Sequence, residues 1–117
     1  MGGQISKTYT VNKAYIETKV KDLHFNIFMY LNRDEVAKGT MTLNAKEKKL
    51  RSFVRDLYPL VAMIRNNNYI IDTEDKVTMG RIRYFKETGM QIVADFPKVG
   101  DYDLQKEFAE FCHYFDQ

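Results

Sequence analysis

The chain has 117 residues and a net charge of +2, a length typical of one domain built around one core. Hydrophobic residues make up 44% and charged residues 29%, a composition that excludes collagen-like and disordered chains. Cys112 is the only cysteine, and no apolar run approaches the roughly 20 residues needed to cross a bilayer. The sequence therefore predicts a single intracellular, cytoplasmic domain over residues 1–117, with residues 1–7 as a flexible N-terminus.

Charge is distributed unevenly along the chain. Residues 1–66 contain 12 Lys+Arg and 6 Asp+Glu, whereas residues 67–117 contain 6 and 10, which together give the 18 and 16 of the whole chain. Such an asymmetry indicates a charged partner, unless folding interleaves the two halves.

The first third of the chain predicts strands. Residues 8–16 are rich in β-branched and aromatic types, and residues 23–31 alternate between an apolar series and a second series that contains His24 and Asn26. A period of two is typical of a strand with one face on the core. With the polar turn 32–35 and the β-prone segment 39–43, a hairpin is predicted over 23–43.

A helix is predicted over residues 45–66. Asn44 and Glu47 have the spacing of a capping box, and apolar residues recur at helical spacing at Leu50, Phe53, Val54, Leu57, Val61 and Ile64. Pro59 lacks an amide donor, so we expect a kink or a restart at that point.

The second half of the chain predicts more strands. Residues 69–71 and 77–85 look extended on either side of the acidic turn 72–75. A turn at 86–89 then leads into a strand over 90–96, which makes the strongest predicted hairpin.

A last helix is predicted after Pro97 and Gly100, which break the preceding strand. Asp101 or Asp103 can cap this helix. Its apolar stripe consists of Leu104, Phe108, Phe111 and Phe115.

The predicted fold class is α+β, a mostly antiparallel sheet with two helices on one face. The order of elements fits a ββα-ββα pseudo-repeat from an ancestral duplication. Because residue identity between the halves is poor, two unrelated sheet-then-helix units are the favoured alternative. It resembles the order in PUR-repeat and whirly-type single-stranded nucleic-acid binders, although no residue motif of either family is present. The predicted core residues are Phe25, Ile27, Met29, Phe53, Leu57, Ile82, Ile92, Phe108 and Phe111.

Residues that could support catalysis are few. His24, His113 and Cys112 are the only His and Cys residues, and their spacing matches no zinc site. Cys112 paired with His24 or His113 is the one alternative for a nucleophile, although a lone helical cysteine usually serves packing. No glycine-rich phosphate loop occurs, and the carboxylates of 72–75 lack the glycine and the terminal glutamate of a calcium loop. We therefore expect a binding protein that is not an enzyme, with no metal and no cofactor.

The segment 80–86 suggests a basic and aromatic binding surface. If it is a strand, Arg81, Arg83 and Phe85 share one face, where cations suit phosphates and rings suit bases. A solvent-facing strand with ordinary charge pairs is the alternative. The predicted nucleic-acid-binding residues are Arg81, Arg83, Phe85, His24, Asn26, Phe28 and Tyr30.

Single-stranded DNA or RNA is therefore the first predicted partner. The second interpretation is a small protein-binding regulator, an inhibitor or an adaptor, whose signature would be an exposed apolar patch. A second copy of the chain is a further candidate partner.

Gly2 heads a lipidation pattern. Together with Ser6 and Lys7 it fits the pattern of N-myristoylation. One myristoyl chain anchors only marginally without a second signal, so membrane association is expected only if Gly2 is acylated and nearby lysines assist. The alternative is a polar, unmodified start.

Overall fold

The computed structural model describes residues 7–116, which form five helices and one two-stranded sheet. The elements are β1 (Thr8–Thr10), α1 (Lys13–Leu31), α2 (Asp34–Ala37), α3 (Ala45–Asn66), β2 (Ile70–Asp72), α4 (Lys76–Asp95) and α5 (Leu104–Tyr114). The α+β prediction of a large antiparallel sheet was therefore wrong, because the described chain is mainly helical. Within this part of the chain, none of the helices is long and apolar enough to cross a membrane.

Helix α3 has the predicted bounds. The Asn44 side chain accepts a hydrogen bond from the Glu47 amide at 2.8 Å, and the Glu47 carboxylate accepts one from the Asn44 amide at 3.0 Å. This capping box satisfies amides that the first helical turn cannot pair internally. Pro59 lies inside the helix, which continues without restarting to Asn66.

Helix α1 replaces the strand predicted over 23–31 and the hairpin predicted over 23–43. The Asn12 side chain caps it by accepting from the Tyr15 amide at 2.9 Å. The buried side chains recur every three or four residues, as Ile16, Val20, Leu23, Ile27 and Leu31. This stripe begins at Ile16, before the segment 23–31 in which apolar residues alternate. The apolar alternation in that segment arises because Phe25 and Met29 are apolar although they are exposed.

Helix α4 replaces the extended segment predicted over 77–85 and the strand predicted over 90–96. The Asp75 side chain caps it by accepting from the amides of Val77 and Thr78. Gly89, which we interpreted as part of a turn, lies in mid-helix against the Phe108 ring, and an added Cβ would overlap that ring. Glycine is needed there for close packing and not for a turn.

The two short strands pair antiparallel, with Thr8 opposite Asp72 and Thr10 opposite Ile70. The predicted extended segment at 69–71 is thus confirmed for β2, whereas the strand predicted over 8–16 is limited to β1. The pairing fixes the start of the described chain beside the turn that leads into α4.

The core lies where α3 packs between α1 and α4, with α5 packed against α4 and α1. The Phe53 ring lies 5.1 Å from the Phe85 ring and 5.4 Å from the Phe108 ring, measured between centroids. The predicted α5 is confirmed, with Asp103 as its cap. Seven of the nine predicted core residues are buried, and the exceptions are Phe25 and Met29.

Candidate functional site

The seven predicted nucleic-acid-binding residues do not share a sheet face, since all of them lie on helices. On α4, Phe85 is only 6% exposed and stacks on Phe53 inside the core. Arg81 and Arg83 are exposed, but two helical steps place them about 200° apart around the axis. The predicted basic-aromatic sheet face was therefore wrong, and nothing in residues 7–116 supports a nucleic-acid interface.

The four predicted residues on α1 separate into two pairs. Asn26 donates to a carbonyl of its own helix at 2.8 Å, and Tyr30 lies 6.1 Å from the Phe96 ring between centroids. His24 and Phe28 lie together, with ring centroids 5.8 Å apart. Each pair thus lines a different recess: His24 and Phe28 border α3, whereas Asn26 and Tyr30 face the segment 99–102.

Three large apolar side chains on α1 lie in solvent. Phe25, Phe28 and Met29 are 60%, 50% and 54% exposed, and we call them the α1 patch. Their spacing of three and four residues places them side by side on one helix face. Contiguous exposed apolar groups are typical of interaction sites, whereas single ones are ordinary.

A recess of about 450 Å³ adjoins the α1 patch, between α1 and α3. We call it the basic recess, and its lining includes His24, Phe28, Arg51 and Arg55. The ring of Tyr58 meets His24 edge-on at 5.0 Å. Buried aliphatic side chains from both helices form its floor, so the recess combines apolar depth with a cationic wall.

The two arginines of the basic recess are exposed and form no ion pair within residues 7–116. Arg51 and Arg55 are one helical turn apart, so their guanidinium groups share one side of α3. Guanidinium groups bind carboxylates and phosphates in a planar, bidentate geometry. The basic recess is therefore suited to an anionic group carried on an apolar segment.

A second concave surface of about 570 Å³ lies between α3 and α4, and we call it the α3/α4 groove. Its apolar lining comes from Phe53, Pro59, Leu60, Val77, Tyr84 and Phe85. Val77 and Tyr84 are 65% and 66% exposed, so this lining is open to solvent on the α4 side. Charged side chains at its edge are Asp56, Lys76 and Arg81.

The cysteine lies outside both surfaces. The pKa of the Cys112 thiol is raised to about 11, mainly by burial, while Lys86 lowers it and Asp116 adds a smaller upward contribution. The thiol is therefore protonated near neutral pH, although nucleophilic chemistry requires the thiolate. Among the described residues, no group of three or more His, Cys, Asp or Glu side chains is arranged to hold a metal ion. Gly2, the predicted lipidation site, lies outside the described residues.

Sequence reasoning missed the basic recess, although one signal for it was present. Lys48, Arg51 and Arg55 recur at three and four residues on the outer face of a helix whose bounds were predicted correctly. No family model, no curated protein and no solved structure matches this chain. The functional argument therefore depends on the chemistry of these two surfaces.

Proposed function

We propose that the protein is a small protein-binding regulator that binds an acidic, amphipathic helix of its partner on the α1 patch and the basic recess. One observation carries this proposal. Three large apolar side chains on neighbouring turns of α1 are half exposed or more, beside two arginines that have no acidic partner in the described chain.

Apolar burial would provide most of the affinity. Removing a Phe or Met side chain from water contributes about 1.5–3 kcal/mol when burial is complete. Aromatic residues, Met and Arg are enriched in the cores of protein interfaces, and the surface formed by the α1 patch and the basic recess contains all three types.

The charge of the basic recess favours an acidic partner segment. Asp or Glu on that segment would satisfy Arg51 and Arg55, and like charges would be repelled. The spacing of the α1 patch matches the apolar stripe of a second helix, which recurs at three and four residues. The recess is concave and has an apolar floor, so it can accept a side chain from such a helix.

A pair of designed peptides tests this proposal. One peptide has leucines on one helical face and glutamates on the other, and its twin has lysines in place of the glutamates. We expect the acidic peptide to shift the amide NMR signals of Phe25, Met29 and Arg55 and to bind at least about tenfold more tightly than its twin, a difference of about 1.4 kcal/mol.

Matched variants locate the binding surface. Phe25→Ser should weaken the acidic peptide, whereas Val77→Ser removes an equally exposed apolar side chain from α4 and should leave binding unchanged. Equal affinity for the two peptides, or signal shifts confined to the α3/α4 groove, would contradict the proposal. A concentration-dependent rise in mass without peptide, abolished by Phe25→Ser, would instead identify a second copy of the chain as the partner.

A further inference from the structure

The start of the described chain lies beside the α3/α4 groove. The Lys7 carbonyl accepts hydrogen bonds from the Thr73 amide at 2.6 Å and from the Thr73 hydroxyl at 2.8 Å. The Lys7 ammonium lies 3.6 Å from the Glu74 carboxylate. The chain is therefore fixed at the turn that immediately precedes α4, and the first two residues of α4, Lys76 and Val77, line the groove.

Gly2 is close enough in sequence to reach along the groove. Five residue steps separate Gly2 from Lys7, and an extended chain of that length spans at most about 17 Å. The α4 wall of the groove from Val77 to Tyr84 is seven helical steps, or about 10 Å. A group attached to Gly2 can therefore contact the α4 wall of the groove.

The groove is suited to a slender apolar group. Gly80 lies in its wall, and a Cβ added there would meet no other atom within 4 Å, so the wall is open at this point. The volume of about 570 Å³ is within the usual range for sites that bind small molecules. A saturated acyl chain needs no hydrogen-bond partners, and the rings and aliphatic side chains of the lining offer it apolar contact.

We propose that the α3/α4 groove holds a myristoyl chain carried by Gly2. Removal of Met1 exposes the Gly2 amine, which attacks the thioester carbonyl of myristoyl-coenzyme A in a host transferase. An amide bond forms, the carbon–sulfur bond breaks, and coenzyme A leaves as the thiol after the amine loses a proton. The resulting protein keeps its acyl chain within the groove and exposes it only in a minor fraction of molecules.

Three observations support this occupant over a partner protein. The N-terminal pattern is that of an acylated glycine. The chain is fixed at Thr73, three residues before the first α4 residue that lines the groove, so an attached group has a high effective concentration near the groove. The exposed Val77 and Tyr84 would gain the apolar cover that they lack in the described residues. None of these observations concerns the α1 patch, so the inference is independent of the proposed function.

The experiment compares acylated and unmodified protein, made with and without co-expressed N-myristoyltransferase and distinguished by mass. In protein carrying ¹³C-labelled myristate, we expect nuclear Overhauser contacts between acyl methylenes and the side chains of Val77 and Tyr84. The inference would be overturned if protein made with the transferase showed no acyl mass. It would also be overturned if the acyl methylenes contacted neither Val77 nor Tyr84. Gly2→Ala provides the unacylated control under the same expression conditions.

Filling the groove gives a second and independent readout. Gly80→Leu places a side chain in the open space, and Gln91→Leu adds the same side chain to an exposed position of α4 that does not line the groove. If the acyl chain is outside the groove in about a tenth of wild-type molecules, its displacement by the leucine side chain of Gly80→Leu should raise the affinity for vesicles about tenfold.

Vesicles of phosphatidylcholine alone, and of phosphatidylcholine mixed with phosphatidylserine, are used in sedimentation. Acylated Gly80→Leu should bind both kinds of vesicle more tightly than acylated wild type or acylated Gln91→Leu does. Unacylated Gly80→Leu should show no such increase. Equal binding by all three acylated proteins would overturn the inference. Circular dichroism verifies that each variant retains its helices.

Discussion

Helices α1 and α3 pack face to face, yet only α3 could be located from its sequence. Each has a buried stripe at helical spacing. They differ in their outer faces, since α3 presents mainly charged side chains to solvent whereas α1 presents Phe25, Phe28 and Met29. These exposed apolar residues obscured the helical period of α1 in the sequence. The same residues form its candidate binding surface.

Helix α4 shows the same relation between misprediction and surface. Val77, Tyr84 and Met90 are each about two thirds exposed, and their apolar character made the segment look like a hairpin. Two of these three residues line the α3/α4 groove or its edge. The two long helices that were mispredicted, α1 and α4, are therefore the ones with several large apolar side chains in solvent.

A matched pair of substitutions sharpens the comparison between the two helices. Phe53 on α3 and Phe25 on α1 were both predicted in the core, but they are 1% and 60% exposed. Phe53→Ala should lower the free energy of unfolding by about 3–5 kcal/mol, because it removes a ring stacked among other rings. Phe25→Ala should change it by less than about 0.5 kcal/mol.

Urea unfolding followed by circular dichroism measures both values. The comparison fails if the two substitutions cost the same, since the phase assigned to α1 would then be wrong. Leu57→Ala, at a second fully buried position of α3, serves as a positive control for a large loss.

Local signals explain how much of this fold could be predicted. The capping box of Asn44 and Glu47, the apolar stripe of α5 and the extended β2 were all correct, because each signal is contained in a short window. Gly89 was misinterpreted because glycine usually marks a turn, whereas here its missing side chain makes room for Phe108. Such a tertiary contact has no signature within the segment itself.

The candidate site was less predictable than the fold. His24 and Phe28 were predicted to lie side by side on a strand. They do lie side by side, but on the helix α1. Arg51 and Arg55 come from a different helix and join them only through the packing of α1 on α3. Which residues meet across that interface depends on the helical phase, and residues 23–31 were predicted as a strand that has no such phase.

A smaller effect comes from Glu47, which links α3 to Arg33 in the connection between α1 and α2. The hydrogen bond from the Asn44 amide lowers the pKa of this carboxyl; burial opposes it, and Arg33, 2.6 Å away, lowers it further. A lowered folded-state pKa stabilises the protein above the unfolded pKa, and this stability is lost as the pH falls through the folded value. Glu47→Gln should therefore cost about 1.5 kcal/mol at pH 7, the contribution of a charged hydrogen bond.

The cost of Glu47→Gln should decrease once the pH falls below the ordinary glutamate value of about 4.3. Urea unfolding at several pH values between 7 and 3 measures it. A cost that stays constant, or grows with acid, would contradict the role assigned to this carboxylate. The exposed Glu35→Gln is the control and should show no such dependence.

The smallest expected change in stability belongs to the residues with the largest assigned role in binding. The double variant Phe25→Ser, Met29→Ser removes two thirds of the α1 patch, and it should be examined for both the free energy of unfolding and the affinity for the acidic peptide. We expect unfolding to change by less than about 1 kcal/mol, because both side chains lie in solvent, while the affinity falls at least about tenfold. A large loss of stability with unchanged affinity would contradict the claim that the exposed apolar residues of α1 serve binding.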